Sequence, residues 1–151
     1  MEGKRGQSHL LRRGRYSETG RIYLVTATTH RRQPIFRDVR AGRALVQALR
    51  DEQRASTLCY VIMPDHMHWL MQLTWVEPLN SVVGRVKSRG ARLINESLGR
   101  RGRLWQDGFQ DRALRQEEDL VSVARYVVAN PLRAGLVSSI REYPLWDAIW
   151  L

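Results

Sequence analysis

Two residues, Pro64-Asp65, separate two runs of strand-forming side chains, 56–63 and 66–73. A parallel crossover needs a dozen or more residues, so the two runs must return on each other as an antiparallel hairpin. Strand side chains alternate faces with a period of two. His66 and His68 therefore point to one side, with Leu70 and Gln72 behind them. Met67, Trp69, Met71 and Leu73 point to the other side, into a core. Two imidazoles side by side on a sheet face form half a metal site.

Elements with their own signals surround the hairpin. Residues 21–29 are rich in Ile, Tyr, Val and Thr and read as a first strand. Pro34 breaks a basic loop, and Asp38 reads as the N-cap of a helix running to about residue 53, with Val39, Leu45, Val46 and Leu49 on its apolar stripe. A second helix is expected over Leu79–Leu98, burying Leu79, Val82, Val83, Val86 and Ile94. Residues 104–115 hold one or two short strands interrupted by Gly108. A third helix is expected from about residue 117, with Glu117, Glu118 and Asp119 in its first turn, until Pro131 stops or kinks it. The order strand, helix, strand, strand, helix, strand, helix predicts an α+β fold: a ferredoxin-like antiparallel sheet with helices packed on one face. Residues 1–20, polar and basic, read as a flexible arm, and residues 21–151 as one catalytic domain.

Composition narrows the partner. The chain has 151 residues and a formal net charge of +10. Of its 25 basic residues only Lys4 and Lys87 are lysine. The guanidinium fork matches phosphate and the guanine edge, so a polyanion, with nucleic acid first, is the natural partner. Arg12, Arg13 and Arg15 in the arm and Arg85, Lys87, Arg89 and Arg92 on the second helix are the candidate DNA contacts. No apolar run approaches the roughly 20 residues of a membrane span. The single Cys59 lies in an apolar run as a core thiol, which fits a reducing cytoplasm. No membrane partner and no small-molecule cofactor are expected.

What completes the histidine pair? Tyr126 and Asn130 are four residues apart on the third helix, about 40° apart around its axis. Asn130 offers a carbonyl oxygen as a metal ligand and Tyr126 a phenol as a nucleophile. A divalent ion on His66, His68 and an amide oxygen keeps open positions for phosphate oxygens. The expected reaction is attack of the tyrosine on phosphorus, giving a covalent phosphotyrosine.

Three blocks of sequence carry a family resemblance: 60–70 (Tyr60-Val61-Ile62-Met63-Pro64-Asp65-His66-Met67-His68-Trp69-Leu70), 104–115 beginning Leu104-Trp105-Gln106-Asp107-Gly108-Phe109, and 126–137 beginning Tyr126-Val127-Val128-Ala129-Asn130-Pro131. In this order they resemble the single-tyrosine nucleases and transposases named for a His-hydrophobic-His motif, and among them the REP-associated tyrosine transposases. The resemblance implies cleavage of single-stranded DNA at REP hairpins, leaving a 5′-phosphotyrosine and a free 3′-hydroxyl. It implies Tyr126 as nucleophile, His66, His68 and Asn130 as ligands, and Mg²⁺ or Mn²⁺ as the ion; imidazoles by themselves would tolerate Zn²⁺. In insertion-sequence relatives a glutamine usually stands where Asn130 stands here. Asp111 and Arg112 fall beside the site in the resembling block, and Arg112 joins the candidate DNA contacts. A monomer or a homodimer, acting in the cytoplasm at the nucleoid, fits. Two other readings remain open: a regulator that holds DNA hairpins without cutting them, and a metal hydrolase that activates a water.

Overall fold

The computed structural model describes residues 20–115 and 119–149. The proposed arm contacts Arg12, Arg13 and Arg15 lie outside the described residues, as do Glu117, Glu118 and Trp150. The elements are β1 (Ile22–Thr28), α1 (Val39–Asp51), β2 (Ala55–Met63), β3 (His66–Leu73), α2 (Leu79–Leu98), β4 (Gln110–Ala113), α3 (Leu120–Val128), a single turn α4 (Asn130–Arg133) and β5 (Trp146–Ala148).

The two-residue turn produces the hairpin the sequence demands, with Met63 opposite His66. β3 then pairs with β1 on its other side, placing Thr26 opposite His68 and Thr28 opposite His66. The full order is β4-β1-β3-β2-β5, every neighbouring pair antiparallel. The first four strands follow the ferredoxin-like order, and β5 extends the sheet beside β2. The α+β architecture expected from the sequence is therefore the one observed.

The helices occupy both faces, which corrects the expectation of one. α1 and α2 pack on the face of Val25, Ala27, Met67, Trp69 and Met71. α3 packs on the opposite, histidine-bearing face, where Ala124, Val127 and Val128 meet Leu58, Cys59, Val61, Met63 and Leu70. The reason is visible in β3: Leu70, on the histidine side, is fully buried, while His66 and His68 stay half-buried. α3 thus covers the middle of that face and leaves the start of β3 accessible. Trp69 is fully enclosed on the other face, its indole N–H donating to Thr57 Oγ1 at 2.9 Å. Burial pushes the Cys59 thiol up to about 12, as suits an inert core residue.

Two boundaries also differ. α3 starts at Leu120 rather than near residue 117, because Asp119 is its N-cap and accepts from the Val121 and Ser122 amides. Residues 143–148 join the body of the fold: β5 pairs with β2, the Tyr143 hydroxyl donates to the Ile62 carbonyl, and Leu145 enters the core against Gly42 of α1. A Cβ at Gly42 would overlap Leu145 Cδ1, so a larger residue there would force the Leu145 side chain to shift.

α2 is anchored by charge as well as packing. Glu52, 2% exposed at its side chain, accepts from Arg85, whose fork also grips Glu77 through bonds of 2.7 and 2.9 Å. Removing one partner of a fully buried pair costs about 3–5 kcal/mol. Arg85 is itself 39% exposed. Solvent screening lowers the expected loss for Arg85→Leu to about 2 kcal/mol, read as a lower urea midpoint. The Arg85 hydrogen bonds hold Glu77 below the usual carboxylate range. The stability this contributes is present above the unfolded glutamate pKa and is lost as pH falls through the folded one. Glu77→Gln should therefore make stability less sensitive to acid, measured by denaturant melts across that range.

Candidate metal and tyrosine site

The histidine rings stand edge to face, centroids 4.9 Å apart. Each is held by its Nδ1. His66 Nδ1 lies 2.7 Å from Asp65 Oδ1. A carboxylate only accepts, so the proton is on His66 Nδ1 and, in the neutral ring, the lone pair is on Nε2. His68 Nδ1 lies 2.8 Å from Thr26 Oγ1, the residue directly opposite it on β1. Metal-binding imidazoles in general have one nitrogen engaged by such an oxygen partner, and both rings here have Nδ1 so engaged. Burial, the charge of His66 and the charge of Arg133 lower the His68 pKa to about 4, so that ring is neutral at physiological pH.

Asp65 is in turn fixed. Its carbonyl accepts from the Thr29 amide at 2.9 Å and the Thr29 hydroxyl at 3.1 Å, and its second carboxylate oxygen accepts from Arg32 Nε at 3.1 Å. Arg31 and Arg32 adopt φ of 55° and 53°, a left-handed conformation that costs a non-glycine residue roughly 1–2 kcal/mol. The strained loop brings Arg32 to Asp65. Sequence reasoning found neither Thr26 nor Arg32, since the signal for both is a cross-strand or loop contact with no local pattern.

Asn130 is aimed by the proline that follows it. In a continuous helix the Val127 carbonyl would accept from the amide of residue 131, but Pro131 has no N–H. The Asn130 side-chain amide takes that acceptor at 2.7 Å. A carbonyl accepts only, so the nitrogen must face it, and Asn130 Oδ1 is the atom left over. α3 ends at this point, Ala129 separating it from α4, so Tyr126 and Asn130 belong to successive helices rather than to one. Tyr126 is 68% exposed, and the Arg133 guanidinium lies 3.8 Å from its ring centroid. Arg133 thus lies against the tyrosine ring, and its charge adds to the lowering of the His68 pKa. Among the described residues no group of three or more His, Cys, Asp and Glu side chains could by itself hold a metal ion.

The basic residues of α2 are not gathered here, because α2 lies across the sheet from the histidines. Arg85 is committed to Glu52 and Glu77. Lys87 donates to the carbonyls of Gln106 and Gly108, at 3.0 and 2.7 Å, and burial lowers its pKa. Arg89 is half-buried with Nη1 enclosed, and Arg92 is exposed on that far side. In β4, Arg112 stands opposite Leu24, on the histidine face, whereas Asp111 stands opposite Val25, on the other. The second of these corrects the expectation that both residues flank the site.

A ferredoxin-like sheet with paired histidines on its central strand and an exposed tyrosine on the helix over that face defines a class of paired-histidine domains. Within it the assignment is specific: residues 18–130 match the model of the family described as "Transposase IS200 like", and the chain belongs to that family. A Haemophilus influenzae protein named as a REP-associated tyrosine transposase is 26% identical over 98 residues, 58% of this chain and 56% of that protein. The chain thus matches little over half the length of this curated relative. A REP-associated tyrosine transposase solved bound to a REP hairpin superposes with a TM-score of 0.69 at 23% identity, over 97% of this chain and 82% of that one. A transposase structure from Deinococcus radiodurans gives 0.55 at 20% identity, over 84% and 95%. Both likenesses speak for the fold.

The electrostatics yield one direct check. In the metal-free protein the His68 ring should titrate near pH 4 by NMR, and Arg133→Gln should move it upward by removing a cation. The unfolded imidazole binds its proton near 6.5, so this group makes stability rise with pH between about 4 and 6.5 and adds nothing further above that window.

Proposed function

We propose that the chain is a metal-dependent single-strand DNA endonuclease and strand transferase that acts at REP-type hairpins through Tyr126. The observation that carries the proposal is the donor set: two imidazoles with Nδ1 engaged and Nε2 available, and one amide whose nitrogen is engaged and whose oxygen is available. His66, His68 and Asn130 would hold Mg²⁺ or Mn²⁺. When bound, the ion would neutralise charge on a scissile phosphate. The chain supplies the remaining chemistry. The Tyr126 hydroxyl attacks phosphorus, the bond to the 3′-oxygen breaks, and the DNA leaves with a free 3′-hydroxyl. The proton lost by the phenol is matched by the one gained at the 3′-oxygen. A 3′-hydroxyl attacking the phosphotyrosine reverses the linkage or joins a new strand.

Family membership supports this reading, as does the hairpin on the structural relative. Among the described residues no helix is long and apolar enough to cross a membrane. A DNA substrate in turn calls for action in the cytoplasm at the nucleoid, by a monomer or a homodimer.

End-labelled hairpin DNA with single-stranded flanks, incubated with Mn²⁺ or with chelator, provides the test on a denaturing gel. A metal-dependent protein–DNA adduct is expected, lost in Tyr126→Phe while hairpin binding stays within about threefold. Cleavage without an adduct would instead mean an activated water, and bound but uncut DNA a hairpin-binding regulator. Thr26→Val keeps a β-branched strand residue but removes the oxygen beside His68 Nδ1. It should weaken Mn²⁺ binding about 10–100-fold by calorimetry.

A further inference from the structure

Arg133 is a cation that the proposed chemistry leaves unused. Its guanidinium lies 3.8 Å from the Tyr126 ring centroid, within cation–π range. Residues seven apart in an unbroken helix are separated by about 10.5 Å of rise, so the contact depends on the side chain reaching back across the break at Ala129. The turn that carries it is closed at both ends. Pro131 opens it, and Gly135, at φ 73°, ends it. The Leu136 amide returns to the Pro131 carbonyl at 2.9 Å and the Gly135 amide to the Leu132 carbonyl at 3.1 Å, the paired bonds of a Schellman cap. The backbone beneath Arg133 is therefore set without reference to any ligand. The side chain is exposed, and among the described residues it has no carboxylate partner and no side-chain hydrogen bond. This contrasts with Arg85, held by two carboxylates, and Arg32, held by Asp65.

A planar fork of donors against an exposed phenol has the chemistry to receive non-bridging phosphate oxygens. We infer that Arg133 contacts the scissile phosphate and sets the Tyr126 ring against it, serving as both a phosphate ligand and a positioning residue. The inference rests on Tyr126 being the nucleophile. Before DNA arrives, the guanidinium stacks on the ring. When a phosphate oxygen accepts from its outer N–H groups, the same stack keeps the hydroxyl near phosphorus. The non-bridging oxygens then accept from this chain's own guanidinium.

Two measurements on the full chain test this. The first is equilibrium binding of an oligothymidylate, in chelator, as a function of salt. Each phosphate contact on a single strand contributes about 0.7 to the slope of log K against log salt. Arg133→Gln should flatten the slope by about that amount, and Arg133→Lys, which keeps the charge, should restore it. A slope unchanged in Arg133→Gln would overturn the phosphate contact whether or not the protein cuts DNA. The second is single-turnover adduct formation at saturating hairpin DNA. Arg133→Gln should slow it about 100-fold, the size seen when one transition-state donor is removed. Arg133→Lys should recover little of that rate, because an ammonium neither forks nor stacks as a plane. Full rescue by lysine, or a rate equal to wild type in Arg133→Gln, would overturn the positioning role. An adduct that survives in Tyr126→Phe would sink the underlying reading instead, and the salt slope would still decide the phosphate contact.

Discussion

The register of β3 between β1 and β2 governs everything at the candidate site. A slip of one residue would turn His66 and His68 into the core and expose Met67 and Trp69. The two-residue turn at Pro64-Asp65 fixes one side of this pairing, and the burial of Trp69, Met67 and Met71 fixes the other. Once the register is set, Thr26 must fall opposite His68, and Asp65 must precede His66 at the end of the hairpin. The oxygen partners that orient the rings are thus consequences of strand pairing.

The second constraint is the missing amide of Pro131. It leaves the Val127 carbonyl without its helical partner, and the Asn130 side chain takes that place. One absent donor separates α3 from α4, selects which atom of Asn130 is available, and starts the short turn that carries Arg133 back toward Tyr126. The Asn130 amide, the Tyr126 phenol and the Arg133 guanidinium all derive from eight consecutive residues and one local defect.

The strands and helices were legible in the sequence where the signal was local. The bounds of β3 and α2 follow from alternation and from the 3.6-residue period, and the Asp38 cap marks the start of α1. The pair His66 and His68 was legible for the same reason. Helix placement was not. Whether α3 covers the same face as α1 and α2 turns on Leu58, Cys59, Val61 and Leu70 presenting a second apolar surface, and the bulge between Thr57 and Cys59 disguises that surface in the pattern of β2. The basic row of α2 looks like a phosphate track in sequence. In space Arg85 satisfies the buried Glu52 and the half-buried Glu77, and Lys87 satisfies loop carbonyls, because both side chains point into gaps made by other segments.

The chain's order of residues by itself determined the hairpin, the ferredoxin-like succession of elements, the shared face of the two histidines, and the four-residue spacing of Tyr126 and Asn130. These rest on backbone periodicity and turn length, which act within a few residues. Only the tertiary structure decided that α3 would lie over the histidine face, that Thr26 and Asp65 would hold the imidazoles, and that Arg133 would lie against the Tyr126 ring. Those outcomes depend on which surfaces bury each other across the sheet, and such contacts join residues that no local pattern relates.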